Sequence, residues 1–471
     1  MREPQENSHT LIQREQRKDS RTDDSRRAFL IGGAAALIGG ATILAGGAAR
    51  LLQPATVSVD PHRILNLPLS GESAPHPFQN LPSVEYAWLP DSIHLAVAIP
   101  GKIFLVNVKT GQIAWQQARS LAKEQDAVLL INWSTDGKQI QTVHESGVPG
   151  GQVAWPAPSQ VYNIGWEGFA FSADQTYLAF HRLNDPYVQI WNIPQRSLVA
   201  YYQDPENTLG NPLNDVAMAW SPTSPSLLAI YTNLRQPEIH LWQAEEQRLL
   251  WATDISSQPA SENEKRMKWS PDGLALAYAY MSDLSYLGVL DAQTSATRFQ
   301  TTMAPSFPGA IEEAFAWSPD GTRLAFFATE GNETVLQVWQ AQTGQHLLTC
   351  QRVQGLGLVP VANEPNLYKG AAGIVSWSPD GRYLVAQTLP GDKPAQATLQ
   401  FWDAHTGKAL FSYYAPFEDA FLDWSPHLLW SPDSHFLAAY MATRAACSMP
   451  RGFPGHPSCS YAYALQIFQV G

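Results

Sequence analysis

Acidic residues recur at one kind of place in this chain. Glu85, Glu167, Asp215, Glu312, Glu313 and Asp423 each stand a few residues ahead of an aromatic that opens a tight turn, and Lys265 and Arg266 break the series. Carboxylates brought to one rim repel, raise one another's pKa and attract cations. Such a negative funnel would select a divalent cation, a polyamine or a basic segment of a partner. Calcium suits it best among metals, because oxygen ligands from several segments can meet its loose geometry. The alternative is a set of separately solvated loop acids.

Cysteine offers a second piece of chemistry. Cys447 and Cys459 lie at either end of a Pro- and Gly-rich loop, Ser448 to Ser458, and an oxidising compartment would let them pair. The alternative is two free thiols. Cys350, at the end of an apolar run, reads as a small buried residue. The histidines show no metal-ligand spacing, and His240 in a strand pattern and His405 in a turn read as structural. No Gly-x-Ser-x-Gly elbow, His-Glu-x-x-His helix, phosphate loop or dinucleotide fingerprint appears.

The elements that would position these groups are repeats. Trp269-Ser270-Pro271-Asp272-Gly273 returns at Trp317, Trp377 and Trp430, and looser copies begin at Trp88, Trp133, Phe171 and Trp220. That makes about eight modules spaced roughly 40 to 60 residues apart, the period of propeller blades. In each, an apolar run ends at the aromatic, a turn follows, and a second apolar run begins. Pro sets φ for the turn, Asp bonds back to the backbone, and Gly takes the left-handed conformation. A third run ends in an aromatic, as in Leu336-Gln337-Val338-Trp339 and Leu399-Gln400-Phe401-Trp402. A Thr-Gly turn then leads to a fourth. The second runs are apolar on both faces, as strands sandwiched between neighbours should be.

The phrase and the strand-c aromatics, recurring in register from about Tyr86 onward, resemble the WD-repeat β-propeller family, and the Ser-Pro-Asp-Gly style is similar to bacterial TolB-type propellers and to those of prolyl peptidases. One literal Trp-Asp stands at Trp402-Asp403. The Gly-His pair of that family is missing, so its internal hydrogen-bond tetrad does not carry over. The fold class is thus all-β, a propeller of four-stranded blades, eight in number or seven if the second module fails. That module is the weak point, because Gly151 to Gly165 must hold two strands around Pro156 and Pro158. The last module supplies three strands, near Leu428 to Trp430, Phe436 to Met441 and Ala464 to Phe468. An open edge invites aggregation, so Ile64 to Leu69, with a Pro suited to an edge, is expected to close the ring.

Thirty Lys plus Arg against 42 Asp plus Glu, with no basic stripe beyond the N-terminus, disfavour nucleic acid as a partner. Residues 1–24 read as a polar, disordered cytoplasmic tail. Residues 25–50 hold Arg26-Arg27 and an apolar stretch from Ala28 to Ala49, which looks like a twin-arginine export signal, although Ile31 departs from that motif; an uncleaved transmembrane anchor is the alternative. Arg21, Arg26 and Arg27 ahead of the stretch place the rest of the chain on the extracytoplasmic side. Residues 51–83 are a linker with the closing strand, and 84–471 form a propeller expected to be monomeric.

Two function classes remain: a non-enzymatic protein-binding scaffold outside the cytoplasmic membrane, or a propeller enzyme of hydrolase or lyase type with a site at the central channel. Long connections at Gln203 to Asp215, Asp254 to Arg266, Gln351 to Gly373 and Arg444 to Ser460 all join strand d to the next a, or b to c. In a propeller these emerge on one face, which marks it as the expected docking surface, with Tyr368, Lys369, Arg451 and Phe453 as candidate contacts.

Overall fold

In the computed structural model of this chain, each repeated phrase becomes the turn between the first two strands of a sheet. The structure describes residues 62–68, 85–99, 102–118, 128–133, 140–144, 149–150, 166–255 apart from 175, 183, 184, 193, 196, 214, 215 and 235, then 265–281, 285–304, 314–351 apart from 332, 359–361, 364–369, 374–388, 398–414, 428–448 and 458–470. The expected tail and the signal or anchor, including Arg26 and Arg27, lie outside the described residues. Among those residues no helix is long and apolar enough to cross a membrane.

Seven sheets of four antiparallel strands stand in the described residues. Blade I runs from Glu85–Trp88 to Ile113–Ala118, blade II from Trp166–Phe171 to Ser197–Gln203, and blade III from Ala217–Trp220 to Arg248–Asp254. Blade IV runs from Lys265–Trp269 to Thr297–Met303, blade V from Phe315–Trp317 to Gln345–Thr349, and blade VI from Ile374–Trp377 to Ala409–Tyr414. Blade VII combines Leu428–Trp430, Phe436–Ser448 and Ser458–Gln469 with His62–Pro68 from the other end of the chain. Within each blade the strands, called a to d, follow one another as a meander, except that strand d of blade VII is His62–Pro68.

No blade has a core of its own. The apolar clusters lie between blades: Tyr202, Val188 and Ile190 of blade II meet Trp220, Leu228 and Ile230 of blade III, and Val385, Leu399 and Phe401 of blade VI meet Trp430, Leu437 and Phe468 of blade VII. Strand b is buried on both faces, as the unbroken apolar runs require. The fold is a β-propeller.

The turn chemistry repeats atom for atom. The hydroxyls of Ser172, Ser270, Ser318, Ser378 and Ser431 each donate to the Asp two residues on, at 2.5 to 2.8 Å. Each also accepts the backbone N–H five residues on, at 2.8 to 2.9 Å. At Gly273, Gly321 and Gly381 φ is about +70°, where a Cβ would be strained. Burial alone would raise the carboxyls of Asp174, Asp320 and Asp380, but the donors around them outweigh it and hold all three below the ordinary carboxylate range.

Closure follows the expectation. His62–Pro68 pairs antiparallel with the last strand, Leu65 opposite Ile467 and Leu67 opposite Leu465. Leu65 and Leu67 also pack on the cluster of Tyr86, Trp88 and Phe436 that joins blade I to blade VII. The second module forms a sheet of three described strands, Val128–Trp133, Ile140–His144 and Pro149–Gly150, whose first strand lies against strands a and b of blade I. Its third strand stands ahead of the Gly151 to Gly165 segment where two strands were expected, and that segment lies outside the described residues.

In blades I, III, IV and V the indole of strand a ties blade to blade, whereas the buried Nε1 atoms of Trp377 and Trp430 have no hydrogen-bond partner. Trp88 Nε1 donates to Leu429 O at 3.0 Å, Trp220 to Ala170 O at 2.8 Å, Trp269 to Ala219 O at 2.9 Å and Trp317 to Lys268 O at 3.0 Å. Every acceptor is the residue just before the matching aromatic of the preceding blade. Replacing Trp269 by Phe removes the indole bond to the Ala219 carbonyl and shrinks a packed side chain, so about 1–3 kcal/mol of stability should be lost in urea unfolding. Trp115→Phe, at a site 43% exposed, should shift it by under about 0.5 kcal/mol. Removal of the chain up to Gly71 should replace one cooperative melting transition with a broad one; an unchanged transition would refute closure by the N-terminal strand.

Candidate functional site

Tight turns occupy one face of the ring and longer structures the other. On the face of the a–b and c–d turns, the Ser-Pro-Asp-Gly phrase closes one set. The other is closed by Asn107, Asp291 or Asp403 accepting from the backbone two and three residues on. An Arg298 hydrogen bond holds Asp291 at a pKa of about 2. These turns have few free groups.

The opposite face carries the d–a and b–c connections. After blade II, Asn207 organises a compact loop: its Oδ1 accepts from Asn211 N at 2.8 Å and its Nδ2 donates to Asn211 O at 2.7 Å. Leu213 is buried at its base, and Leu209 stands 84% exposed at its tip. After blade V, the Gln351 to Gly373 connection is not a plain loop, because Val359–Val361 pairs with Glu364–Lys369 in a hairpin. Tyr368 and Lys369 lie on its second strand, opposite Pro360 and Val359.

Blade VII also departs from the expected strands. The b and c strands, expected to stop at Met441 and start at Ala464, continue as a ribbon to Ser448 and from Ser458. The added pairs run from Ala442 with Tyr463 to Ser448 with Ser458, interrupted by one register shift between Arg444 and Ala446. No Gly or Pro occurs in either arm, so nothing stops the ladder; the sequence reading ended the strands where bulky aliphatics gave out. Cys447 falls directly opposite Cys459 in this register. Arg451 and Phe453 lie outside the described residues.

The acidic series is only partly placed. Glu85 is the first residue of strand a in blade I, and Glu167 is the second residue of strand a in blade II, inside the register shift between Trp166 and Gly168. Asp215, Glu312, Glu313 and Asp423 lie outside the described residues. Of the two exceptions, Lys265 opens strand a of blade IV and Arg266 is buried. Cys350 is 2% exposed and its thiol is pushed up to about 12 by burial, which makes it an inert core residue as expected.

The structure gathers one group of ligand-type side chains that the sequence reading did not. Asp204 follows strand d of blade II, while Glu238 and His240 lie on Pro237–Gln243, strand c of blade III, and their ligand atoms all fall within 4.8 Å of one another. His240 Nε2 stands 3.0 Å from Glu238 Oε2, and its Nδ1 meets the Tyr202 hydroxyl. Asp204 Oδ2 accepts from Thr232 Oγ1 at 3.0 Å. Burial drives the Tyr202 phenol well above its ordinary value, and the charges of Asp204 and Glu238 add to the effect. The partners of His240 are Tyr202 and Glu238, so no serine or cysteine nucleophile stands beside it among the described residues. Two residues apart on a strand, Glu238 and His240 share a face, which was the signal available; Asp204 arrives from a neighbouring blade.

No family model matches the chain, and no curated protein matches it in sequence. Solved structures do match. One described as the crystal structure of the eukaryotic initiation factor is similar with a TM-score of 0.50 at 14% identity, over 83% of this chain and 90% of that one. The β-propeller domain of Myceliophteria thermophila Cps50 (Swd1) has a TM-score of 0.39 at 12% identity, over 86% of this chain and 100% of that one. A chain of a Mitotic Checkpoint Complex has 0.41 at 15%, over 91% and 99%. At such identities the likeness concerns the fold alone.

Proposed function

We propose that this chain is a non-enzymatic, WD-repeat-like scaffold of eight blades with TolB-like turn phrases, which binds a protein partner on the extracytoplasmic side of a bacterial cytoplasmic membrane. The carrying observation is the contrast between its faces. One is closed by short hydrogen-bonded turns, whereas the other bears the ribbon of blade VII, the hairpin after blade V and the loop that exposes Leu209. Elements that project from a rigid ring cost it little stability and are free to recognise a partner. An export signal or anchor at Arg26 and Arg27 accounts for the compartment, and the acidic series leaves room for calcium or a basic partner segment at the same face.

Proximity crosslinking in the native host tests this reading. The parent should capture a defined protein; a chain with residues 351–373 replaced by a tight turn should melt like the parent yet lose that capture. Undiminished capture would count against the docking face, and turnover of a small substrate without a protein partner would overturn the scaffold reading.

The compartment has its own test in the ribbon. Directly opposed residues of an antiparallel pair have Cα atoms about 4.5–5.5 Å apart, within disulfide range. Protein recovered from the extracytoplasmic side should yield a Cys447–Cys459 linked peptide on non-reducing digestion. Alkylation of both thiols before reduction would reject the pairing.

A further inference from the structure

We infer that Asp204, Glu238 and His240 form a site for one divalent transition-metal ion, of the zinc class, clasped between blades II and III. This does not rest on the scaffold reading. Three observations carry it. The donor set of one imidazole and two carboxylates suits a borderline ion of this kind. Two ligands about 2.1 Å from a tetrahedral ion lie about 3.4 Å apart, so the 3.0 Å between His240 Nε2 and Glu238 Oε2 needs only a few tenths of an ångström of opening.

The third observation is charge. Asp204 is 3% exposed, and its side-chain partners are neutral donors, Thr232 Oγ1 and the backbone N–H of Glu206. Glu238 Oε1 accepts from Gln236 Nε2 at 3.0 Å, another neutral donor. Among the described residues the only group against this carboxylate pair that can carry positive charge is His240, itself 1% exposed. A buried carboxylate beside a half-buried one, without a full counter-charge, is costly, and a divalent ion supplies that charge.

Tyr202 completes the arrangement as a positioning residue. A metal-bound Nε2 offers its lone pair, so the single proton of the neutral ring sits on Nδ1 and is donated to the Tyr202 oxygen, which fixes the ring plane. The phenol keeps its own proton. Glu238, with a side chain 19% exposed, is the side from which an ion would enter and where a water would complete its shell.

The full chain, stripped with a chelator, would be titrated with zinc against a fluorescent competitor, with bound metal counted by mass spectrometry and the melting temperature followed. The parent should hold one zinc at this site and melt higher with it. Glu238→Gln, at the most exposed position of the three, should fold and bind at least tenfold more weakly. His240→Ala should lose both the ion and the imidazole-dependent visible spectrum of the cobalt-substituted protein. Tyr202→Phe should keep the ion with several-fold weaker affinity. No zinc in the parent, or equal binding by the parent and Glu238→Gln, would overturn the site and leave His240 as a buried partner of Glu238.

Discussion

The structure depends on blades supplying one another's cores. A four-stranded sheet with two apolar faces cannot stand alone in water, and here each cluster of buried side chains is shared by two sheets. The strand-a indole adds direction to that non-directional burial. In blades III, IV and V its ring packs between blades while its N–H reaches the carbonyl just before the corresponding aromatic of the preceding sheet, which sets the height at which those blades meet; the buried Nε1 atoms of Trp377 and Trp430 make no such bond. At the seam the same bond runs from Trp88 to Leu429, 341 residues away. Closure by the N-terminal strand and this indole contact act on the same pair of blades.

The a–b turns show how a local rule bends without breaking. Glycine occupies the left-handed position in three of them, but Ser434 and Ser92 hold it at φ of 64° and 58°. A side chain there costs about 1–2 kcal/mol. Each serine offsets part of that by reaching the neighbouring turn: Ser434 Oγ accepts from Asp380 N at 3.0 Å, and Ser92 Oγ from Asp433 N at 3.1 Å. The departures thus fall on either side of the seam, where blades VI, VII and I meet and extra links between turns strengthen the closure.

Most of the fold was legible because a propeller writes its geometry locally. The period, the turn phrase and the strand-c aromatics gave the blades, and the missing fourth strand of the last module pointed to Ile64 to Leu69, close to the observed His62–Pro68. What was misread depends on cross-strand pairing between unremarkable residues. Ala442, Thr443, Ala446 and Ser448 carry no apolar alternation, yet their partners hold them in a ribbon. Val359–Val361 and Glu364–Lys369 were likewise hidden by a Pro in each arm, Pro360 and Pro365. The Asp204, Glu238 and His240 group was half visible as an i, i+2 pair on a strand, but only the ring brings Asp204 across from the preceding blade.

The two faces divide labour for a physical reason. On the a–b and c–d face, turn side chains are consumed in holding the turns: the hydroxyls of Ser378 and Ser431, the turn carboxylates and Thr406 Oγ1 bond within a few residues of themselves, and Ser434 and Ser92 bond the neighbouring turn. Their donors and acceptors are not free for a ligand, and lengthening these turns would break the bonds that set strand register. The d–a and b–c connections carry no such repeated motif. They bridge strands whose register is already determined elsewhere, so they can grow into a ribbon, a hairpin or a loop with an exposed Leu209 while the blades stay in place. The Asp204, Glu238 and His240 group, buried except at Glu238, lies at the base of that same face, where the loop after blade II meets the b–c turn of blade III, and it is the position at which a change in charge would be felt by both blades and by the loop above them.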